Sequence, residues 1–349
     1  MKFESIRAHR SSGLGSSVFL LLWILTFTTA WADAVSDLAA FSIFDKVDLV
    51  QLAKSDVRTA HGPPMGNPRF LSVQSCYVSP ASPAQQIEAL RRWDPTKHRE
   101  LKVFLHSDLP GSPTAANFSK LQNAPDNSSV RSLVSATQKL SPELQISKDE
   151  AKKFSPAGGG GDAMPAAVAK FWSDILAARA HSFSSGGTSA EPPYDHGSQT
   201  IRAGDELNGL LKQQEKIRHQ FSSLLGATGI GRGAGSLNPE LYWELLDVDD
   251  QGVVTLGASY NRAGTGGTYQ AADVLYYASG GYYVALTLYQ MWSVNVEGKA
   301  STLVWRGDMI SAASLASLHG VERLASESAM MKDILKAVTL FRRDTSGGR

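Results

Sequence analysis

Residues 282–310, YYVALTLYQMWSVNVEGKASTLVWRGDMI, decide the fold. Two segments rich in Val, Leu, Tyr and Trp flank the dipeptide Glu297-Gly298, a combination typical of two strands joined by a tight turn. If Val296 lies opposite Lys299, large apolar side chains collect on one face of the pair and polar ones on the other. A slip of one residue would mix the two faces. The sequence therefore predicts an antiparallel hairpin in this register.

The two faces of this hairpin differ in polarity. The apolar face carries Val284, Leu286, Leu288, Trp292, Leu303, Trp305 and Met309. The opposite face carries Thr287, Tyr289, Ser293, Thr302, Arg306 and Asp308. A helical apolar pattern follows over residues 311–342. Because a sheet followed by one long helix must bury one face against it, we expect that helix to cover the apolar face.

The hairpin belongs to a longer antiparallel meander. Similar segments, separated by turn residues, predict strands at 241–248, 253–260, 273–278, 282–296 and 300–310. Earlier in the chain, a strand at 69–78 precedes a Pro-punctuated helix at 84–93, and the middle of the chain is largely helical. The predicted fold class is α+β: an antiparallel meander with a long C-terminal helix packed on one face and a helical insertion in the middle.

The chain divides into three parts. Residues 1–32 form a leader, residues 33–68 an N-terminal segment that is partly irregular, and residues 69–345 a single α+β domain. A Gly-rich stretch at 157–162 predicts a flexible break in that domain. A Ser-, Gly- and Pro-rich stretch at 181–199 predicts a loop.

The leader has the three parts of a secretory signal peptide. A basic start with Lys2, Arg7 and Arg10 precedes an apolar run over 18–30, and Ala30-Trp31-Ala32 offers a small-x-small cleavage site. The run is shorter than the about 20 residues that span a bilayer, and no later run is long enough. We therefore expect cleavage after Ala32, export to the periplasm or the extracellular space, and no stable membrane span afterwards.

Charge and cysteine content exclude some classes of partner. The leader holds three basic residues and one acidic residue, so its removal changes the net charge from +1 to −1. Since no basic stripe remains, nucleic acid is not an expected partner. The single cysteine, Cys76, cannot form an internal disulfide and is expected to be a small buried hydrophobe.

No motif predicts catalysis, a metal or a cofactor. Residues 226–235 are rich in glycine, but a helix precedes them and Asn238-Pro239 follows, which excludes a phosphate-binding loop. Residues 247–252 resemble part of a calcium loop, yet a hairpin turn between strands explains them. The sequence contains neither a Gly-x-Ser-x-Gly elbow nor a His-Glu-x-x-His motif.

The order of elements resembles the helix-grip proteins of the START-like and polyketide-cyclase-like type. The closest local likeness is residues 71–93, LSVQSCYVSPASPAQQIEALRRW, which are similar to that family's opening strand and short helix. The resemblance implies a curved sheet that grips a helix around an apolar cavity for a lipid. The chain departs from the family at 94–238, where helices replace strands.

One polar residue on the apolar face suggests where a ligand could bind. Gln290 interrupts the apolar row, and a buried amide needs a protein partner, a water or a ligand. The expected ligand-binding residues are Leu288, Gln290, Trp292 and Trp305 from the sheet and Met330 and Met331 from the helix. The alternative is a filled core in which the protein itself satisfies Gln290.

Three functions remain open at this stage. The first is an exported protein that binds a hydrophobic small molecule or lipid under the C-terminal helix. The second is an interaction or accessory protein of the cell envelope without a small-molecule site, whose protein partners the sequence does not indicate. The third is a hydrolase without a recognisable motif that uses His98 or His106.

Overall fold

A computed structural model of the chain describes residues 29–54, 57–155 and 163–346. Most of the predicted signal peptide, residues 1–28, and the predicted Gly-rich break at 157–162 lie outside the described residues. Within the described part, no helix is both long and apolar enough to cross a membrane.

Eight strands form one sheet in which every neighbouring pair is antiparallel, in the order β1-β2-β8-β7-β6-β5-β4-β3. The strands are β1 Arg58–His61, β2 Phe70–Ser79, β3 Val103–Leu109, β4 Glu240–Val248, β5 Gln251–Ala263, β6 Tyr269–Ala278, β7 Val284–Val296 and β8 Lys299–Ser311. Strands β4 to β8 are the predicted meander, and the N-terminal pair β1–β2 adds to its β8 edge.

The predicted hairpin register is confirmed. Val296 lies opposite Lys299, Trp292 opposite Leu303 and Gln290 opposite Trp305. Glu297 and Gly298, the two turn residues, have φ values of 50° and 80°, the left-handed pair that a type I′ turn requires. The turn geometry and the segregation of the two faces therefore select the same pairing.

The described residues also contain ten α-helices. They are α1 Thr29–Phe41, α2 Leu49–Ala53, α3 Pro83–Arg92, α4 Ser128–Gln138, α5 Lys148–Ala151, α6 Ala166–Gly186, α7 Ala203–Lys212, α8 Glu215–Gln220, α9 Ser222–Thr228 and α10 Gly320–Ser346. Helix α6 continues six residues into the stretch predicted as a loop. Helix α10 begins at Gly320, after a 3₁₀ turn at Ser314–Ser317, rather than directly after β8.

Local sequence signals explain the start of α3. Ser82 is the N-cap: its hydroxyl accepts from the Gln85 backbone N–H, while the Gln85 side chain accepts from the Ser82 N–H. Pro83 occupies the first helical position, where a missing N–H costs nothing. The helix therefore begins at the predicted Pro-rich turn.

One sheet face carries the main core; we call it the core face. Leu288 of β7 and Trp305 of β8 are fully buried there. Helices cover this face: the Phe41 ring of α1 lies 4.9 Å from the Trp305 ring, and Phe221, between α8 and α9, lies 5.6 Å from it. The helical insertion and the N-terminal segment thus pack on the same side of the sheet.

The C-terminal helix packs on the opposite face, which we call the cavity face. Ile334 and Val338 of α10 share an apolar cluster with Met291 of β7 and Val304 of β8. The prediction that this helix covers the apolar face with Leu288 and Trp305 is therefore wrong. The physical reason is that α1 and the inserted helices already bury that face, while Met291 and Val304 supply apolar surface on the other. The α+β fold class itself, with the long helix on one face, is confirmed.

A buried ionic cluster attaches the insertion to the sheet. The Arg179 guanidinium of α6 has no exposed surface; it lies 2.6 Å from the Glu150 carboxylate and 3.4 Å from that of Glu191. It also stacks 4.3 Å from the centre of the Tyr277 ring of β6. Burial raises the pKa of Glu191 to about 8, with Arg179 opposing the rise. Arg179 is therefore mainly the counter-ion of Glu150 rather than of Glu191.

Candidate functional site

A cavity of about 660 Å³ lies between the cavity face and helices α3 and α10; we call it the helix–sheet cavity. Its sheet wall includes Tyr242, Ser259, Asp273, Thr287, Tyr289 and Arg306, and its helical wall includes Leu90, Trp93, Met330, Ile334 and Ala337. Three other clefts in the described part of the chain have volumes of about 670, 680 and 800 Å³. Volume does not distinguish the helix–sheet cavity, but its lining does. The helical wall is mostly apolar apart from Arg91 and Asp333, and the sheet wall combines apolar side chains with Asp273, Glu244 and Arg306.

Tyr242 and Asp273 meet on the sheet wall although they stand on strands that are not adjacent. Tyr242 of β4 is paired with Gly257 of β5, and Asp273 of β6 is paired with Ser259. The Tyr242 hydroxyl donates to Asp273 Oδ1 at 2.6 Å. A Cβ at Gly257 would lie 2.1 Å from the Tyr242 ring. Gly257 therefore lets the tyrosine lie across β5.

Asp273 is a carboxylate withdrawn from bulk water but bordering the cavity. Burial raises its pKa to about 6, Tyr242 and Ser259 lower it by hydrogen bonding, and the nearby Glu244 raises it again. At neutral pH the group is largely ionised, and a partner that neutralises it would be stabilised. The sheet wall thus offers a hydrogen-bond acceptor of negative charge.

The second polar feature of this wall is an ion pair in which two opposite charges neutralise each other. Arg306 and Asp308 of β8 form a bidentate ion pair, with Nε–Oδ2 at 2.8 Å and Nη2–Oδ1 at 2.7 Å. Thr287 donates to the same Asp308 carboxylate at 2.9 Å, and the Arg306 guanidinium lies 5.5 Å from the Tyr289 ring centre. Burial alone would lower the pKa of Arg306, but Asp308 raises it above its usual value. The pair is therefore a rigid, nearly neutral part of the wall.

His106 lies at the β3 edge of the cavity. Its Nδ1 is 3.1 Å from Glu244 Oε1, and its Nε2 is 3.7 Å from Asp108. Burial opposes protonation of His106, but the Glu244 hydrogen bond and charge outweigh it and raise the histidine pKa. His106 is thus a hydrogen-bond partner of Glu244 at this edge of the cavity.

The other histidine proposed from the sequence fastens helix α10. His98 Nε2 lies 2.6 Å from the Asp344 carboxylate, and Trp93 Nε1 donates to the same oxygen at 2.9 Å. The Trp93 ring contacts Phe341 edge-on, with ring centres 5.6 Å apart. These contacts hold the C-terminal end of α10 against the segment that follows α3.

The six residues predicted to bind a ligand do not form one site. Leu288, Gln290, Trp292 and Trp305 lie on the core face, whereas Met330 and Met331 lie on α10, on the other side of the sheet. Of the six, Met330 lines the helix–sheet cavity. The geometric part of the prediction, that Met330 and Met331 cover the four sheet residues from the helix, is wrong because α1 and the inserted helices occupy that face.

Gln290 has protein partners. Its Oε1 accepts from Gln270 Nε2 at 2.8 Å and from Gln220 Nε2 at 3.2 Å, and its own Nε2 donates to the Tyr269 carbonyl at 3.4 Å. Trp305 is held in the same way, since its Nε1 donates to Gln74 Oε1 at 3.0 Å. These contacts satisfy Gln290 within the protein, yet Gln290 and Trp292 also line the cleft of about 800 Å³. A binding role for the six residues stays a prediction.

The cavity residues that sequence reasoning missed are chiefly Tyr242, Asp273 and Arg306. A signal was present in β4 and in β8, where polar side chains alternate with large apolar ones, but not around Asp273 in β6. The hairpin pattern predicts Arg306 and Asp308 on its polar face. Only the placement of α10 over that face turns its alternating polar residues into a cavity wall.

The described residues contain no cluster of three or more His, Cys, Asp or Glu side chains that could hold a metal ion. The ionisable groups of the cavity instead form pairs, such as His106 with Glu244 and Arg306 with Asp308. Cys76 is fully buried on β2 and burial raises the pKa of its thiol to about 12, so it behaves as an apolar side chain.

Comparisons with known proteins give one structural likeness. No family model matches the sequence, and no curated protein matches it. Among solved structures, the crystal structure of human STARD10 is similar, with 7% sequence identity, a TM-score of 0.34 and coverage of 84% of this chain and 70% of that one. An antiparallel sheet with a C-terminal helix over one face fits a helix-grip fold.

Proposed function

We propose that the protein binds an amphipathic small molecule, such as a single-chain lipid, in the helix–sheet cavity. The observation that carries the proposal is that mostly apolar side chains line the helical wall of this cavity, while Tyr242, Asp273 and Arg306 converge on its sheet wall. Ligand pockets are typically cavities of about 300–1,000 Å³ with mostly apolar walls and a few convergent polar groups. A volume of about 660 Å³ lies within that range.

The apolar part of the ligand lies against the helices. Leu90 of α3 and Met330 and Ile334 of α10 face the cavity, and the small side chains of Ala329 and Ala337 leave room between them. Burying a methylene group there contributes about 0.8 kcal/mol. Met330 adapts to different shapes because its side chain is unbranched and flexible.

The polar part of the ligand donates a hydrogen bond to Asp273. This carboxylate already accepts from Tyr242, and among the described residues it forms no ion pair. Arg306 lowers the Asp273 pKa from a distance but is itself paired with Asp308. A protonated amine or a hydroxyl therefore suits the sheet wall better than a carboxylate, which would be repelled by Asp273 and Glu244.

A competition assay tests this function. Nile red, an uncharged fluorescent probe of apolar sites, is titrated into the protein and displaced with dodecylamine, dodecanol or dodecanoate. We expect displacement by the amine and the alcohol at lower concentration than by the acid. Ala285→Trp fills the cavity from β7 and should abolish probe binding, whereas Ala300→Trp, at an exposed position near the start of β8, should not. Equal probe binding by the wild type and Ala285→Trp would refute the proposal.

We also propose that the protein is exported and cleaved after Ala32. Support comes from the leader sequence, and Ala34, Leu38 and Phe41 of α1, which follow the proposed cleavage site, are buried. Cleavage after Ala32 would leave these core residues in the mature chain. Expression with and without residues 1–32, followed by fractionation and N-terminal sequencing of the exported form, tests this. Retention of the full-length chain inside the cell would contradict it.

A further inference from the structure

A second cleft, of about 680 Å³, lies on the helical layer that covers the core face, so the sheet separates it from the helix–sheet cavity. We call it the basic cleft. Its charged rim comprises Lys212 of α7, Lys216, Arg218 and His219 of α8, and Arg232 of the loop after α9. Buried apolar side chains line it as well: Phe41, Leu225 and Ile230.

The positive charge of this cleft is not compensated. Among the residues that the structure describes, Lys212, Lys216, Arg218 and Arg232 form no ion pair, and Glu215 is the only carboxylate of the lining. The whole chain has a net charge of only +1, so this concentration of cations is local. Cations gathered in a concave site repel one another and attract anions.

The cleft is built on fixed backbone. The junction between α7 and α8 is tied to distant segments: Gln213 Oε1 accepts from the Gly66 N–H at 2.5 Å, and Gln214 Nε2 donates to Ser72 Oγ at 3.3 Å. The Lys212 and Lys216 positions flank this junction. These hydrogen bonds fix the backbone before a ligand binds, so that binding costs less conformational entropy.

The loop that carries Arg232 is also fixed. Arg232 N–H donates to the Gly229 carbonyl at 2.7 Å, and the Arg232 carbonyl accepts from Ser189 N–H at 3.2 Å. Gly231, at φ 75°, packs on Asn208, where a Cβ would lie 2.6 Å from the amide oxygen. The glycine-rich stretch 226–235 therefore has a structural role, because its conformation places Arg232 at the rim.

We propose that the basic cleft binds a small polyanion that carries two or more phosphate or carboxylate groups. Guanidinium and ammonium groups form the strongest protein hydrogen bonds to such anions. The concave form favours a small ligand, because one compact polyanion can contact cations from α7, α8 and the loop after α9 at the same time. This site is independent of the ligand proposed for the helix–sheet cavity.

Isothermal titration calorimetry with pyrophosphate at low ionic strength tests the proposal. The variant Lys212→Ser/Arg232→Ser removes two rim cations, and Lys139→Ser/Lys299→Ser removes two exposed cations from elsewhere. We expect the rim variant to bind about 100-fold more weakly, about tenfold for each charge-assisted hydrogen bond lost. The control should bind like the wild type, and 0.5 M salt should weaken binding.

Three results would overturn the proposal. They are the absence of pyrophosphate binding to the wild type, an equal loss in both double variants, and binding confined to anionic vesicles or to an acidic peptide. Ala285→Trp keeps the basic cleft intact, so it should retain pyrophosphate binding while losing Nile red. Failure of one proposed site can therefore be distinguished from failure of the other.

Discussion

Tyr242 reaches across strand β5 to donate a 2.6 Å hydrogen bond to Asp273 on β6. The two residues belong to strands separated by a third, and the ring passes over Gly257, the one β5 position that directly faces Tyr242 in the pairing. The hydrogen bond therefore depends on the order of strands β4, β5 and β6 in the meander, and it joins two residues that line the cavity. It also gives the most direct mutational test of the sheet wall.

We predict that Gly257→Ala displaces the Tyr242 ring. A Cβ 2.1 Å from that ring cannot be accommodated without movement of the side chain, and overpacking of this kind costs about 1–3 kcal/mol. Urea unfolding measures the loss of stability, and the Nile red assay measures the effect on the cavity. Gly111→Ala is the control, because nothing lies within 4 Å of its added Cβ. Equal stabilities of the two variants would contradict the prediction.

We predict that Asp273 makes stability depend on pH. Its pKa is raised to about 6 in the folded chain, against about 3.9 in an unfolded one. The folded state therefore binds this proton more tightly, and the free energy of unfolding falls as pH rises from about 4 to about 6. Asp273→Asn lacks this term, since its amide does not titrate.

The measurement is urea unfolding of the wild type and Asp273→Asn at pH 4, 5, 6 and 7. We expect the stability of Asp273→Asn relative to the wild type to increase across this interval and to level off above pH 6. The comparison of the two proteins removes the contribution of other raised carboxyls such as Glu191. A constant difference between the two proteins over the whole interval would refute the prediction.

We predict that the two acidic partners of Arg179 contribute unequally to the free energy of unfolding. Arg179→Met leaves Glu150 buried without its counter-ion and should cost about 3–5 kcal/mol of the free energy of unfolding. Glu191→Gln should cost little at pH 7, because the pKa of Glu191 is about 8 and its carboxyl is mostly protonated there. Chemical denaturation of both variants at pH 7 provides the comparison. A larger cost for Glu191→Gln than for Arg179→Met would contradict the assignment of Glu150 as the main partner of Arg179.

We predict that Asp344 fastens the C-terminal end of α10. Its carboxylate receives the Trp93 indole N–H and pairs with His98, so Asp344→Ala leaves both groups without this partner and should cost about 1–3 kcal/mol. Hydrogen exchange should become faster for the amides of the last two turns of α10. Asp333→Ala, which removes an exposed carboxylate of the same helix, is the control. Unchanged exchange in Asp344→Ala would argue against this anchor.

The sequence was most informative where a local pattern repeats. Alternation in β7 and β8, together with Glu297-Gly298, identified the register of Val296 with Lys299, because a one-residue slip would place Trp292 and Trp305 on opposite faces of the sheet. The start of α3 was similarly readable from Pro83. Such features depend on neighbours in the chain, and these are visible in the sequence.

The candidate site was harder to predict because both sheet faces are covered. Alternation identifies two faces but does not say which helix covers which. Buried Gln290 suggested a ligand, whereas Gln270 and Gln220 satisfy it. Conversely, Asp273 looked like an ordinary strand residue until Tyr242 and α10 enclosed it.

The sequence by itself determined the antiparallel meander, its register and the presence of a long C-terminal helix, since these follow from side-chain periodicity and turn chemistry. Tertiary structure alone decided that α1 and the inserted helices occupy the face of Leu288 and Trp305, and that α10 lies on the face of Tyr289 and Arg306. The physical reason is competition for apolar surface: several helices can bury the same face, and the outcome depends on contacts between residues far apart in the chain.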